Sequence, residues 1–207
     1  MINGVIFDLF NTLAEHKEPE KKIIERFKLK YDFYYLQRFV CGQRFRNWDS
    51  YLTNILKAIN LEVNEANKRA IMEIFKEETR EIKLFPETEP VLKQLKARAV
   101  KLGLISNLPN PLYDVVHSKH LDKYFEAIVF SCDVGAVKPA KMLFEECLKR
   151  LGLTKDEVVM VGDSIRGDMQ GAKNAGIRGI LLDWNNEHPE YQPRITKLKQ
   201  VLDLELI

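Results

Sequence analysis

Val5-Ile6-Phe7-Asp8-Leu9-Phe10-Asn11-Thr12 is the stretch whose reading decides the fold. A four-residue apolar run that closes on a carboxylate, with a polar turn behind it, reads as a short buried strand of a parallel sheet. Open α/β folds carry their reactive groups at such strand ends. The same texture returns downstream in Leu102-Gly103-Leu104-Ile105, Ala127-Ile128-Val129-Phe130, Val158-Val159-Met160-Val161 and Ile180-Leu181-Leu182. Amphipathic stretches lie between these runs, so residues 1–14 and 84–207 predict βαβ units and an α/β fold built on a parallel sheet.

Residues 15–83 differ: they are charged, aromatic and helical in pattern. Ile23, Ile24, Phe27, Tyr31 and Tyr34 recur at near-helical spacing, as do Tyr51, Leu52, Ile55, Leu56 and Ile59, then Ala70, Ile71, Ile74 and Phe75. Gly42 separates the first two stretches and residues 60–64 precede the third, so the segment predicts a helical insertion. Its aromatics, among them Tyr34, Tyr35, Phe39 and Trp48, are expected to hold the insertion together rather than to line a ligand pocket.

Within the sheet-forming part, Val91, Leu92 and Leu95 mark a helix, and Asn110-Pro111 suits the N-cap and first turn of another through Val115 and Val116. A further helix runs through Met142, Phe144, Cys147 and Leu148 to Gly152, and Thr154 with Glu157 has capping-box spacing. A small-residue helix through Gly167, Gly171, Ala172 and Ala175 precedes Ile180-Leu181-Leu182, the last clear strand.

The 207 residues suit one core domain with a modest insertion, and 45% apolar residues supply a sizeable core. A net charge of +2 is too small to argue for nucleic acid or an anionic membrane. The apolar runs are strand-sized and the N-terminus reads directly into a strand, so neither a membrane span nor a leader is expected and the protein is expected to be cytoplasmic. Cys41, Cys132 and Cys147 lack metal-site spacing and read as free thiols. His16, His117, His120 and His188 show no ligand spacing to one another and read as surface residues.

Four strand ends carry polar groups: Asp8, Ser106-Asn107, Ser131 to Asp133 with Lys138 beyond, and Gly162-Asp163. A parallel sheet brings these ends to one edge. Hard Mg²⁺ prefers carboxylate and carbonyl oxygens and keeps water or a substrate phosphate as further ligands. Lys138 would hold a nucleophile ionised and neutralise a phosphoryl oxygen, and Ser106 would donate to another. Asp8 would attack and form a covalent aspartyl intermediate that water cleaves.

Four motifs in this order resemble the haloacid dehalogenase superfamily of hydrolases over essentially the whole chain. Asp8-x-Phe10-x-Thr12 resembles its first motif, Ser106-Asn107 the second and Lys138-Pro139 the third. Gly162-Asp163-Ser164-x-x-x-Asp168-x-x-Gly171-Ala172-x-x-Ala175-Gly176 resembles the fourth. The resemblance implies a Rossmann-like core, residues 1–14 and 84–207, with an α-helical cap over residues 15–83. It also implies catalytic roles for Asp8, Thr12, Ser106 and Lys138, and substrate contacts from Phe10, Ser106, Asn107 and Lys138. Mg²⁺ would lie among Asp8, Asp163, the Phe10 backbone carbonyl and Asp168, the last directly or as a brace. Arg166-Gly167-Asp168 also spells an adhesion tripeptide, which a helical setting argues against.

Position 10 divides the possible chemistries. Phosphatases that this chain resembles carry Asp there as general acid and base, whereas dehalogenases carry an aromatic because a halide leaving group needs no proton. The fourth motif points the other way, since Asp163-Ser164-Ile165 keeps the metal ligand that dehalogenases replace. The favoured expectation is a Mg²⁺-dependent phosphatase acting on a small phosphorylated metabolite of the sugar or triose phosphate class. The alternatives are a 2-haloacid dehalogenase, with Arg38, Arg44 or Arg46 as its substrate-carboxylate partner, and a phospho-ligand binding module with negligible turnover.

Overall fold

The computed structural model describes residues 2–15, 19–30, 33–80 and 82–204. His16 and Tyr31 lie outside the described residues. The first strand, β1 (Gly4–Phe7), is followed by four helices: α1 (Pro19–Arg26), α2 (Phe33–Cys41), α3 (Trp48–Ala58) and α4 (Glu65–Arg80). Then come α5 (Thr88–Ala97), β2 (Lys101–Ser106), α6 (Asp114–Ser118), β3 (Ala127–Phe130), α7 (Ser131–Val134) and α8 (Lys141–Leu151). The chain ends with β4 (Val158–Gly162), α9 (Gln170–Ala175), β5 (Arg178–Leu182) and β6 (Arg194–Ile195).

The six strands form one parallel sheet in the order β3-β2-β1-β4-β5-β6. β1 sits at its centre, with Phe7 level with Leu104 on one side and Val161 on the other. Strand order reverses across β1, and the crevice at the carboxyl ends there is where ligands bind in such sheets. β1 reads as an unbroken apolar run because both faces are covered. Val5 and Phe7 join the cluster that holds Val91, Leu92 and Leu95 of α5, while Ile6 joins Leu143, Phe144 and Cys147 of α8.

The helical insertion shares the first of these clusters. Leu9 and Leu13 behind β1 pack in one continuous core with Ile23, Leu36, Val40, Ile55, Ile71 and Phe75 of the insertion. Phe45, Trp48, Tyr51 and Phe75 stack edge-on or tilted at 5.0–6.0 Å, so Trp48, one of the aromatics expected to hold the insertion together, joins this packed group.

Four details depart from the expected elements. The periodic stretch from Ile23 onward is two helices rather than one, because the backbone turns left-handed at Lys28 (φ 49°). Asn110 does not cap a helix: Pro109 takes that place, and the Asn110 amide pairs with the Phe45 backbone through Oδ1 and Nδ2, both at 2.8 Å. The segment expected as one small-residue helix opens with a π turn, Ile165–Met169, before α9. β6 follows Ile180-Leu181-Leu182, and two residues beginning with arginine carry no strand signal. The Thr154–Glu157 capping box is present.

Candidate active site

The polar strand ends converge around Asp8. The backbone N–H of Asp8 donates to the Val161 carbonyl (3.0 Å), which extends the β1–β4 ladder by one step and aims the buried carboxylate into the crevice. Lys138, from the loop before α8, is itself buried, and its Nζ donates to Asp8 Oδ1 and, at 2.6 Å, to Asp168 Oδ1. The Ile105 carbonyl lies 3.4 Å from the same nitrogen. The Thr12 hydroxyl stands 3.4 Å from both Asp8 Oδ2 and Asp163 Oδ1, and its single proton serves one of them at a time.

The turn after β4 is built to hold Asp168. Ser164 caps the π turn, its Oγ accepting from the Gly167 N–H (2.9 Å), and Asp168 Oδ2 accepts from the Ser164 N–H (3.1 Å). Position 162 must be glycine, because a Cβ there would lie 2.3 Å from Asp168 Oδ2. Gly167 and Asp168 are buried, so the Arg166-Gly167-Asp168 tripeptide is not displayed. On the other side of β1, Asn107 orders the Lys138 loop, its Oδ1 accepting from the Lys138 N–H (2.8 Å). Behind the turn that follows Asp8, the Trp184 indole N–H donates to the Asn11 carbonyl (2.9 Å) and props the left-handed Asn11 (φ 59°).

Carboxylate oxygens of Asp8, Asp163 and Asp168 lie within 4.8 Å of one another. Three carboxylates face one ammonium. Burial pushes the Asp8 carboxyl up to about 7, with Lys138 opposing and Asp168 adding to the rise. Burial, then Asp8 and Asp168, push Asp163 up to about 8. Burial disfavours the Lys138 ammonium, but Asp168 and Asp8 outweigh it and hold Lys138 above the usual lysine range, so the shared proton stays on nitrogen. The excess negative charge and all-oxygen donor set fit a hard divalent cation. Both oxygens of Asp168 already accept hydrogen bonds, which gives it a bracing place in the cluster.

A cavity of about 200 Å³ opens over Asp8. Phe10, Ser106, Asn107, Lys138 and Asp163 line it from the core, and Pro19, Glu20, Tyr34 and Gln37 line it from the helical insertion. Of the residues expected from the sequence, Thr12 and Asp168 stand behind this surface and the others form it. Tyr34, expected to pack rather than to line a pocket, lines this one, with the Arg166 guanidinium 3.9 Å above its ring. Among the described residues lining this cavity there is no arginine: Arg38 borders a neighbouring cavity of about 670 Å³, and Arg44 pairs with Asp133 at 2.7 Å. The three cysteines are free and buried, and His117 and His120 are exposed.

Gln37 and Glu20 are among the lining residues with no counterpart in the motifs. The Asn107 amide donates to Gln37 Oε1 (2.9 Å), linking α2 to the second strand end. Glu20 in the first turn of α1 is buried at 5% exposure. Its spacing to Ile23 and Phe27 places a carboxylate on the apolar face of a helix, and that was its one signal in the sequence.

Residues 5–182 match the family model described as haloacid dehalogenase-like hydrolase. The chain belongs to this family. It is 33% identical to a phosphoserine phosphatase of Thermus thermophilus over 64% of this chain and 55% of that one. The chain spans about half the length of the first curated relatives it matches. Two solved structures share the fold over 98% of this chain and 97% of theirs: a HAD phosphatase from Thermococcus onnurineus (TM-score 0.68, 22% identity) and a 2-haloacid dehalogenase from Pseudomonas syringae (TM-score 0.69, 24% identity). Near-equal likeness to both means that the fold does not choose between the two chemistries. The residues over Asp8 must.

Proposed function

We propose that this haloacid dehalogenase-like hydrolase is a Mg²⁺-dependent phosphatase of small phosphorylated metabolites, acting through an aspartyl-phosphate. The observation that carries the reading is the set of three carboxylates around one buried lysine at the sheet edge, a donor set a metal-free dehalogenase has no use for. Several curated relatives bear the names phosphoserine, glyceraldehyde 3-phosphate and phosphoglycolate phosphatase, which favours a short phosphorylated substrate. A cavity of about 200 Å³ accommodates a phosphoryl group and a few carbons, in keeping with the sugar and triose phosphate class.

In this reading residues 1–14 and 84–207 form the catalytic core and residues 15–83 the cap. Asp8 attacks phosphorus, with Lys138 favouring its ionised form against burial and neutralising a phosphoryl oxygen. Ser106 and the backbone N–H groups of the nucleophile turn donate to the other phosphoryl oxygens, and Asn107 orients Lys138 against the substrate. Thr12 steadies Asp8 and Asp163. Asp8, Asp163 and the Phe10 carbonyl would hold Mg²⁺, with Asp168 bracing them. Bound there, Mg²⁺ supplies charge neutralisation for the phosphoryl oxygens.

The test is hydrolysis of 4-nitrophenyl phosphate and of a panel of sugar and triose phosphates. Activity is expected to vanish with a chelator, and Asp8→Asn is expected to lower it by about 10⁴ or more. Phe10 keeps the dehalogenase reading specific: halide release from chloroacetate that ignores chelator would decide for it. Retained Mg²⁺ binding with neither activity would identify a binding module.

A further inference from the structure

Phe10 leaves the nucleophile turn without a side chain that can move a proton, and the cap brings a carboxylic acid to the same cavity. Glu20 lines it together with Asp8 and Phe10, and is 5% exposed although it is an acid in a first helical turn. A carboxylic acid almost never occupies such a position for packing alone. Ile23 lies on the same face one turn later and is fully buried. The Cys41 thiol at the end of α2 donates to Glu20 Oε1 at 4.0 Å, and the Cys41 carbonyl accepts from the core residue Ser131 Oγ at 2.7 Å. Glu20 is therefore held where α1, α2 and the sheet edge meet, in the wall of a cavity that Asp8 also lines.

We propose that Glu20 is the general acid and base of this enzyme, a catalytic residue supplied by the cap in place of the acid missing at position 10. The inference rests on the phosphatase reading. In the first step an Asp8 oxygen bonds to phosphorus, the bond from phosphorus to the leaving oxygen breaks, and that oxygen takes the proton of the Glu20 carboxyl. The products are the aspartyl-phosphate, a free alcohol and the Glu20 carboxylate. In the second step water attacks phosphorus and gives its proton to Glu20. The bond from phosphorus to Asp8 then breaks, releasing inorganic phosphate and restoring both acids to their starting forms. The division of labour also makes turnover depend on cap position, since only a cap seated on the core brings the proton to the leaving group.

Glu20→Gln keeps size and shape and removes the proton. We expect it to lower kcat/KM on an alkyl phosphate such as glycerol phosphate by about 10²–10³, and on 4-nitrophenyl phosphate, whose leaving group needs no proton, by less than about tenfold. Adding Phe10→Asp to Glu20→Gln is expected to recover at least about tenfold of the alkyl loss. In the native background Phe10→Asp is expected to raise alkyl turnover by a smaller factor than it does in the Glu20→Gln background, because the proton donor is already in place. Equal losses on both substrates in Glu20→Gln overturn the proposal. So does a gain of about 100-fold from Phe10→Asp alone, which would show that no proton donor was in place. The latter variant answers the question even if Glu20→Gln does not fold. If the native protein hydrolyses neither ester, the phosphatase reading falls, and the proposal falls with it.

Discussion

The two walls of the cavity over Asp8 are built on different principles. On the core side Asp8 after β1, Ser106 on β2 and Asp163 after β4 stand at the carboxyl ends of strands, and Lys138 joins them from the loop before α8. A parallel sheet aligns these ends to within a residue, and buried partners then hold each group. On the cap side the links to the core come from helices and the loop between them: Gln37 to Asn107, the Phe45 backbone to the Asn110 amide, the Cys41 carbonyl to Ser131, and the Tyr34 ring to Arg166. A sheet edge gives fixed chemistry, whereas helices pinned by a few side chains give a wall that can vary and move. Insertion loops and lids carry specificity for this reason.

Substitutions can break this contrast, beginning with the core. Lys138→Ala leaves Asp8 and Asp168 buried without their cation and should destabilise the metal-free protein by about 3–5 kcal/mol, measured by urea unfolding. A loss no larger than that of an exposed ion pair would mean that the edge is softer than its geometry implies.

Metal addition should compensate the same charge excess. Asp8 and Asp163 hold protons up to about 7 and about 8 in the fold, against an ordinary 3.8. The folded protein thus binds protons more tightly than the unfolded chain, and metal-free stability is greatest below about pH 4 from these groups and falls as pH rises through 7 and 8. Mg²⁺ competes with those protons, so the rise in Tm on its addition should be larger at pH 8 than at pH 5. At a hundredfold excess over Kd the stabilisation is about 2.7 kcal/mol. An equal shift at both pH values would place the cation elsewhere.

Gly162→Ala should cost about 1–3 kcal/mol and weaken Mg²⁺ binding, because its methyl group displaces Asp168. Calorimetric titration of the variant with Mg²⁺ reads this directly. Smallest of all, Asn110→Ala removes two hydrogen bonds between cap and core and should cost about 1–2 kcal/mol, while lowering kcat on alkyl phosphates more than it raises KM, because a proton donor on α1 depends on cap position. A rise in KM with kcat unchanged would mean that cap position does not set the chemical step.

The core was legible in the sequence because it repeats one device. Four short apolar runs end in polar residues, and each run became a strand of the parallel sheet. Their order allowed Asp8, Ser106, Lys138 and Asp163 to be named as neighbours across 155 residues of chain. The cap was legible only as helical. Periodicity recovers a buried stripe but not where a helix breaks, so the turn at Lys28 was invisible. Asn110 carried a sound local signal for capping, and a tertiary partner, the Phe45 backbone, outbid it.

The sequence by itself determined the parallel sheet, the reactive edge and the absence of a proton-carrying side chain at position 10, because strand ends and local motifs need only near neighbours to be read. Tertiary structure alone decided which residues of a helical insertion face Asp8. Glu20 and Gln37 look like ordinary charged and polar helix residues until α1 and α2 pack on the core. A helix exposes every side chain to some direction, and only the packing of one layer on another determines which of those directions is the active site.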